Sequence, residues 1–185
     1  MAKRTRTAAA MAVAAMLGAS RLSAAPESGA TPIDLPAGHA NVRSSSPVIN
    51  AAIEAAMKRS ATFRQLVATI NASDSVVFVN EGDCGHGVRA CFVAVRSSGT
   101  HRYMFVKVDP RKRDCELMTS IGHELRHTIE VIGDPSVRSD AGKFFFYENI
   151  GRQSVGGTRE TFAAMDAGNA VRSEINRFNR QAKSE

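Results

Sequence analysis

Residues 119–132 read TSIGHELRHTIEVI. At about 100° per residue, Leu117, Met118, Ile121, Leu125, Thr128, Ile129 and Ile132 fall on one broad apolar stripe, which predicts a helix over about 114–132 with Asp114 as its cap. Glu116, Ser120, His123, His127 and Glu130 fall on a second stripe that is wholly polar. The two histidines are therefore not on the face the helix must bury. His123, Glu124 and His127 spell H-E-x-x-H. Imidazoles four residues apart lie one turn apart on the same side, so both grip one metal ion without bending the backbone. Glu124 follows the first ligand and points a carboxylate toward the metal's open position, where it accepts a proton from an attacking water.

Before this helix, Ser46-Pro47 opens a helix containing Val48, Ile49, Ile53 and Met57. SATFRQLVATINAS follows as a second helix with Phe63, Leu66, Val67 and Ile70 on one stripe. The period then changes. SVVFV, ACFVAV and HRYMFVKVD are three short β-rich runs separated by NEGDCGHG and SSGT, a pattern that predicts a small antiparallel meander of about three strands. In the third run Met104, Val106 and Val108 alternate with Tyr103, Phe105 and Lys107, one face buried and one more exposed. Being the last strand before the helix, that run is the one that would receive an extended substrate by edge pairing. After the long helix, GDPS is a break and PSVRSDAGKFFFYENIG a helix ending at Gly151. RQSVGGT is a loop, and a final helix over 158–181 turns Phe162, Met165, Val171, Ile175 and Phe178 inward. Gly168 shares that stripe and admits close approach of a neighbour. The class is α+β, with helices packed around a small sheet.

The amino terminus has a different character. MAKRTRT is basic, AAAMAVAAMLGA is uncharged and apolar, and SRLSAAPES offers small residues for cleavage after Ala24. Residues 1–24 thus predict a secretory signal and a secreted or periplasmic protein. The apolar run is too short to span a bilayer, so no stable membrane anchor is expected. Residues 25–45 form a Pro-, Gly- and Ser-rich lead-in, and 46–185 a single domain. Removing the four basic residues of the leader takes the formal charge from +6 to +2, so the high pI gives no case for a nucleic-acid partner. RKR at 111–113 is a solvated turn. Of the three cysteines, Cys84, Cys91 and Cys115, at most one pair forms. Cys84 and Cys91 bracket GHGVRA and could close it, while Cys84-x-His86 is a metal pair of low specificity.

The strand followed by SIGHELRHTIEV, with RETFAAMDAG in a downstream helix, resembles the gluzincin branch of the zincin metallopeptidases. The stretches SATFRQLVATINASDSVVFV, GHELRHTIEVIGDPSVRSD and ETFAAMDAG are also similar to a group of uncharacterised bacterial secreted HExxH proteins, over about residues 46–175. These resemblances imply a minimal zincin-like domain holding Zn2+ through His123, His127 and a third ligand. No histidine follows His127, so the third ligand is a carboxylate: Glu130, Asp134, Asp140, Glu148, Glu160 or Asp166. Glu130 shares the helix face but would strain to reach back, which suits it to orienting an imidazole. Glu160, near the start of a separate helix as in gluzincins, is favoured. Asp166 lies more than one turn beyond Glu160 and departs from the gluzincin pattern. Tyr147 is a candidate to stabilise the oxyanion, and also a candidate for helix packing. The expected function is that of a secreted zinc-dependent hydrolase acting on a peptide or protein substrate, with Glu124 activating water. The alternative is a non-catalytic metal-binding envelope or interaction protein on the same scaffold.

Overall fold

The computed structural model describes residues 40–184 apart from 86, 112–114 and 155–158. The signal sequence, most of the lead-in, Lys112, Arg113, the Asp114 cap and the Cys84-x-His86 pair lie wholly or partly outside the described residues. Helix α1 (Pro47–Arg59) starts where Ser46 accepts from the Ile49 amide, with Pro47 at the first helical position. Ser60 then serves two helices. Its amide closes α1 on the Ala56 carbonyl, and its hydroxyl accepts from Phe63 to open α2 (Ala61–Asn71). Glu174 reinforces the same start by accepting from the Ser60 hydroxyl and the Thr62 amide.

The expected three-stranded antiparallel meander is corrected to a four-stranded mixed sheet. Its strands are β1 (Val42–Arg43), β2 (Ser75–Glu81), β3 (Ala90–Ser98) and β4 (His101–Val108), in the order β1-β2-β4-β3. β1 and β4 both run parallel to β2, and only β3 is antiparallel to its neighbour β4. Alternating burial tells which face of a strand is apolar but not which strand lies beside it. The segment after Glu81 crosses two strand spacings, about 10 Å, before β3 begins, and the β3–β4 hairpin returns β4 into the gap. Met104, Val106 and Val108 are fully buried there, as their alternation implies. β4 is thus paired on both sides and offers no edge for a substrate; the edge beside it belongs to β3. β1 lies within the stretch read as a lead-in, and Val42 is part of the core.

Helix α3 (Cys115–Ile132) packs on the sheet and against α1, α2 and helix α5 (Phe162–Gln181). Helix α4 (Asp140–Ile150) starts later than expected, at the Ser139 cap, because residues 135–136 form a turn and 137–139 are not helical. Within the stretch read as a loop, β5 (Arg152–Gln153) pairs antiparallel with β6 (Arg159–Glu160), which occupies the expected start of the last helix, so α5 begins only after the Thr161 cap. Val171 and Ile175 are buried as expected, whereas Phe162, Met165 and Phe178 are exposed. The inward seam of α5 runs through Ala164, Ala167, Gly168, Val171 and Ile175. Small residues form the tight part of the crossing and leave the large ones outside it. A Cβ on Gly122 would stand 3.0 Å from the Val171 side chain, and one on Gly168 3.3 Å from the His123 Cβ, so α3 and α5 meet glycine to side chain in both directions.

Candidate metal centre

The α3–α5 crossing holds His123 with its Nδ1 turned to Gly168 and its Nε2 turned outward. His127 sits one turn on, 4% exposed, its ring 4.9 Å from that of His123 and nearly perpendicular to it. Glu160 reaches both rings: its Oε2 lies 2.9 Å from His123 Nε2 and 3.4 Å from His127 Nε2. Tetrahedral zinc with bonds of about 2.0–2.1 Å separates its ligand atoms by roughly 3.3 Å, close to both Glu160 separations, and all three ligand atoms lie within 4.8 Å of one another. His123, His127 and Glu160 are the group among the described residues that can hold a metal ion.

Glu160 is delivered by a strand and not by a helix turn. Gly151 permits this, because a Cβ there would come within 2.7 Å of the Tyr147 carbonyl and 2.8 Å of the Arg159 Cβ. Arg159 then clamps the returning chain to α4 through Glu148 at 2.6 Å. Thr161, beside Glu160, caps α5 by accepting from the Ala164 amide, and its hydroxyl donates to Glu130 at 2.6 Å. Thr161 was not singled out in the sequence, although a threonine preceding an apolar helical run is a cap signal.

Glu130 is bonded to the His127 ring, and it is Glu160 that joins the two imidazoles. The Glu130 Oε2 is 3.0 Å from His127 Nδ1, which fixes the ring and leaves the Nε2 lone pair for the centre. Burial alone would lower the His127 pKa, but hydrogen bonds to Glu130 and Glu160 outweigh it and raise it to about 9. Burial likewise opposes ionisation of Glu160, yet the same two imidazoles bring its carboxyl down to about 2. The pair is thus held as charged partners, and the same attraction suits the group to hold a cation in place of the proton. Replacing Glu130 with glutamine is expected to weaken zinc affinity about 10–100-fold, measured by competition with a chromogenic chelator.

Glu124 is 5% exposed on the side of α3 that faces β3, where the Phe92 backbone bonds to it. Burial pushes its carboxyl above the ordinary value, which favours proton uptake. A bulge at Val93 distorts β3 here. Beyond it the free edge of β3 is covered by α4. Lys143 Nζ donates to the Phe92 and Val93 carbonyls at 2.7 and 2.6 Å, and Asp140 accepts from the Val95 amide at 2.8 Å. Tyr147 is buried, and its hydroxyl donates to the His127 carbonyl at 2.8 Å and lies 3.3 Å from Glu130. The phenol considered as an oxyanion donor is thus engaged with α3, its ring edge-on to His127 at 5.3 Å. Burial, reinforced by Glu130, raises its pKa.

Two cavities flank the centre and share Glu124 and Glu160, one of about 360 Å³ beside His123 and one of about 260 Å³ beside His127. Their shared rim includes Val88 and Ala90, on the segment closed by a Cys84–Cys91 disulfide. Cys115 is a free thiol. No protein family matches the chain, and no curated protein or solved structure matches it.

Proposed function

We propose that this chain is a zinc-dependent hydrolase of the gluzincin type that cleaves peptide bonds outside the cytoplasm. One observation carries the reading: two imidazole Nε2 atoms and a Glu160 oxygen converge on one point, with the non-ligating Glu124 carboxyl buried beside them. Two nitrogens and one carboxylate suit zinc and leave a coordination position open. When bound, zinc supplies Lewis acidity and makes water a nucleophile near neutral pH. Glu124 takes the proton from the attacking water and returns it to the leaving amine. Glu130, braced by Thr161 and Tyr147, keeps His127 in the orientation that points Nε2 at the centre. The Cys84–Cys91 bridge supports an oxidising compartment, as does the amino-terminal pattern.

The test is digestion of a pool of unstructured peptides at neutral pH, read by mass spectrometry. Cleavage is expected, lost after dialysis against a chelator and restored by zinc. A zinc-loaded protein that cleaves nothing in the pool would favour the non-catalytic metal-binding role instead.

A further inference from the structure

The two flanks of the centre both mix apolar and charged side chains but differ in type. The His127 flank has three aromatic rings, Phe92, Tyr147 and Phe144, the last 58% exposed, beside Lys143 and Arg159. The His123 flank has no Phe or Tyr lining among the described residues and combines Val88 and Met165 with Ser120, Asn169 and two arginines, Arg89 and Arg172. Four cations line the two cavities, and three are already engaged. Arg89 is bonded to Glu116, Arg159 to Glu148, and Lys143 to two strand carbonyls. Arg172 is the exception. It stands four residues beyond Gly168, on the side of α5 that meets His123, and its guanidinium has no ion pair or hydrogen bond among the described residues.

We propose that Arg172 is a specificity-determining residue that binds a carboxylate of the substrate on the His123 flank, while the His127 flank takes an apolar group. This inference rests on the proposed metal centre. A guanidinium presents a planar fork matched to a carboxylate, and Ser120 and Asn169 supply further polar contacts in the same cavity. The covered edge of β3 strengthens the argument. With Lys143 and Asp140 bonded to the Phe92 and Val93 carbonyls and the Val95 amide, strand pairing along that part of the edge is blocked, which gives side-chain contacts in the two cavities a larger share in holding a substrate. The carboxylate comes either from an acidic side chain or from a chain terminus.

Three hydroxamates on one leucyl backbone separate these sources: one neutral with an amidated end, one ending in a free carboxylate, and one carrying a glutamate side chain with an amidated end. Their affinities for the zinc-loaded protein are measured by calorimetry. At least one acidic probe is expected to bind about fivefold tighter than the neutral one, and which of the two does so identifies the source. That ratio should fall to about one in Arg172→Ala, fall below one in Arg172→Glu, and shrink with added salt. Equal binding of all three probes to the wild type, or a preference that persists in Arg172→Ala, overturns the assignment and leaves the metal centre standing. Failure of the chain to take up zinc at all overturns the metal-centre reading, and this inference with it, whereas a zinc-loaded chain that binds none of the three probes overturns this inference alone.

Discussion

Replacing Glu124 with glutamine is expected to lower hydrolysis by about 10²–10⁴-fold while zinc content stays the same. The two effects separate because Glu124 is not one of the three converging ligands. Glutamine has the same shape and fills the same buried space, but its amide cannot take up the proton that the attacking water must lose. Burial already works against the charged carboxylate at this position, so the neutral amide removes a desolvation cost and should not weaken the fold. Peptide turnover and metal analysis on the same preparation check both halves. Full activity in the glutamine variant would remove Glu124 from the mechanism.

Arg102→Ala is expected to cost about 3–5 kcal/mol of stability and to lower the melting temperature by roughly 10 °C. Arg102 is 3% exposed and ties the carboxyl end of α3 to the sheet. Its guanidinium donates to the Val131, Ile132 and Asp134 carbonyls at 2.9, 3.1 and 3.0 Å, and to Asp74 at 2.8 Å. The Val131 and Asp134 carbonyls also accept from the Asp134 and Val137 amides, so Arg102 adds a second, charged donor to them and serves the Ile132 carbonyl as well, and it places positive charge at the negative pole of the helix. The same bonds hold the Asp74 carboxyl below its ordinary range. Alanine removes the charged donor from all three carbonyls and leaves the Asp74 carboxylate with only the Ser75 hydroxyl, without a cationic partner. Lysine should not rescue the loss, because a point charge cannot replace a fork that spans three carbonyls and a carboxylate. Urea unfolding followed by circular dichroism reads the difference, and a change below about 1 kcal/mol would show that the helix end is held elsewhere.

The contrast between these residues shows what was legible in the sequence. His123, Glu124 and His127 were readable because their chemistry and spacing lie within one helix, whose geometry follows from its period. Glu160 was readable as a carboxylate from a separate element, but not as part of a strand, since two residues of β-pairing leave no periodic signal. The sheet order was not readable, because alternation in β4 gives its buried face and says nothing of its neighbours. The aromatic residues of α5 misled because size suggests burial, whereas the crossing needed Gly168 and its small neighbours. Arg102 gave no signal at all. Its role depends on carbonyls about thirty residues away, brought near only by the packing of α3 on the sheet.

The most direct measurement is zinc per chain in the protein purified without chelator, compared with His123→Ala and Glu160→Ala, by native mass spectrometry. About one zinc in the wild type, lost from both variants, is the expected result. Zinc retained at full affinity in Glu160→Ala would contradict the assignment of the third ligand. A wild type that takes up no zinc even after reconstitution would contradict the metal centre altogether.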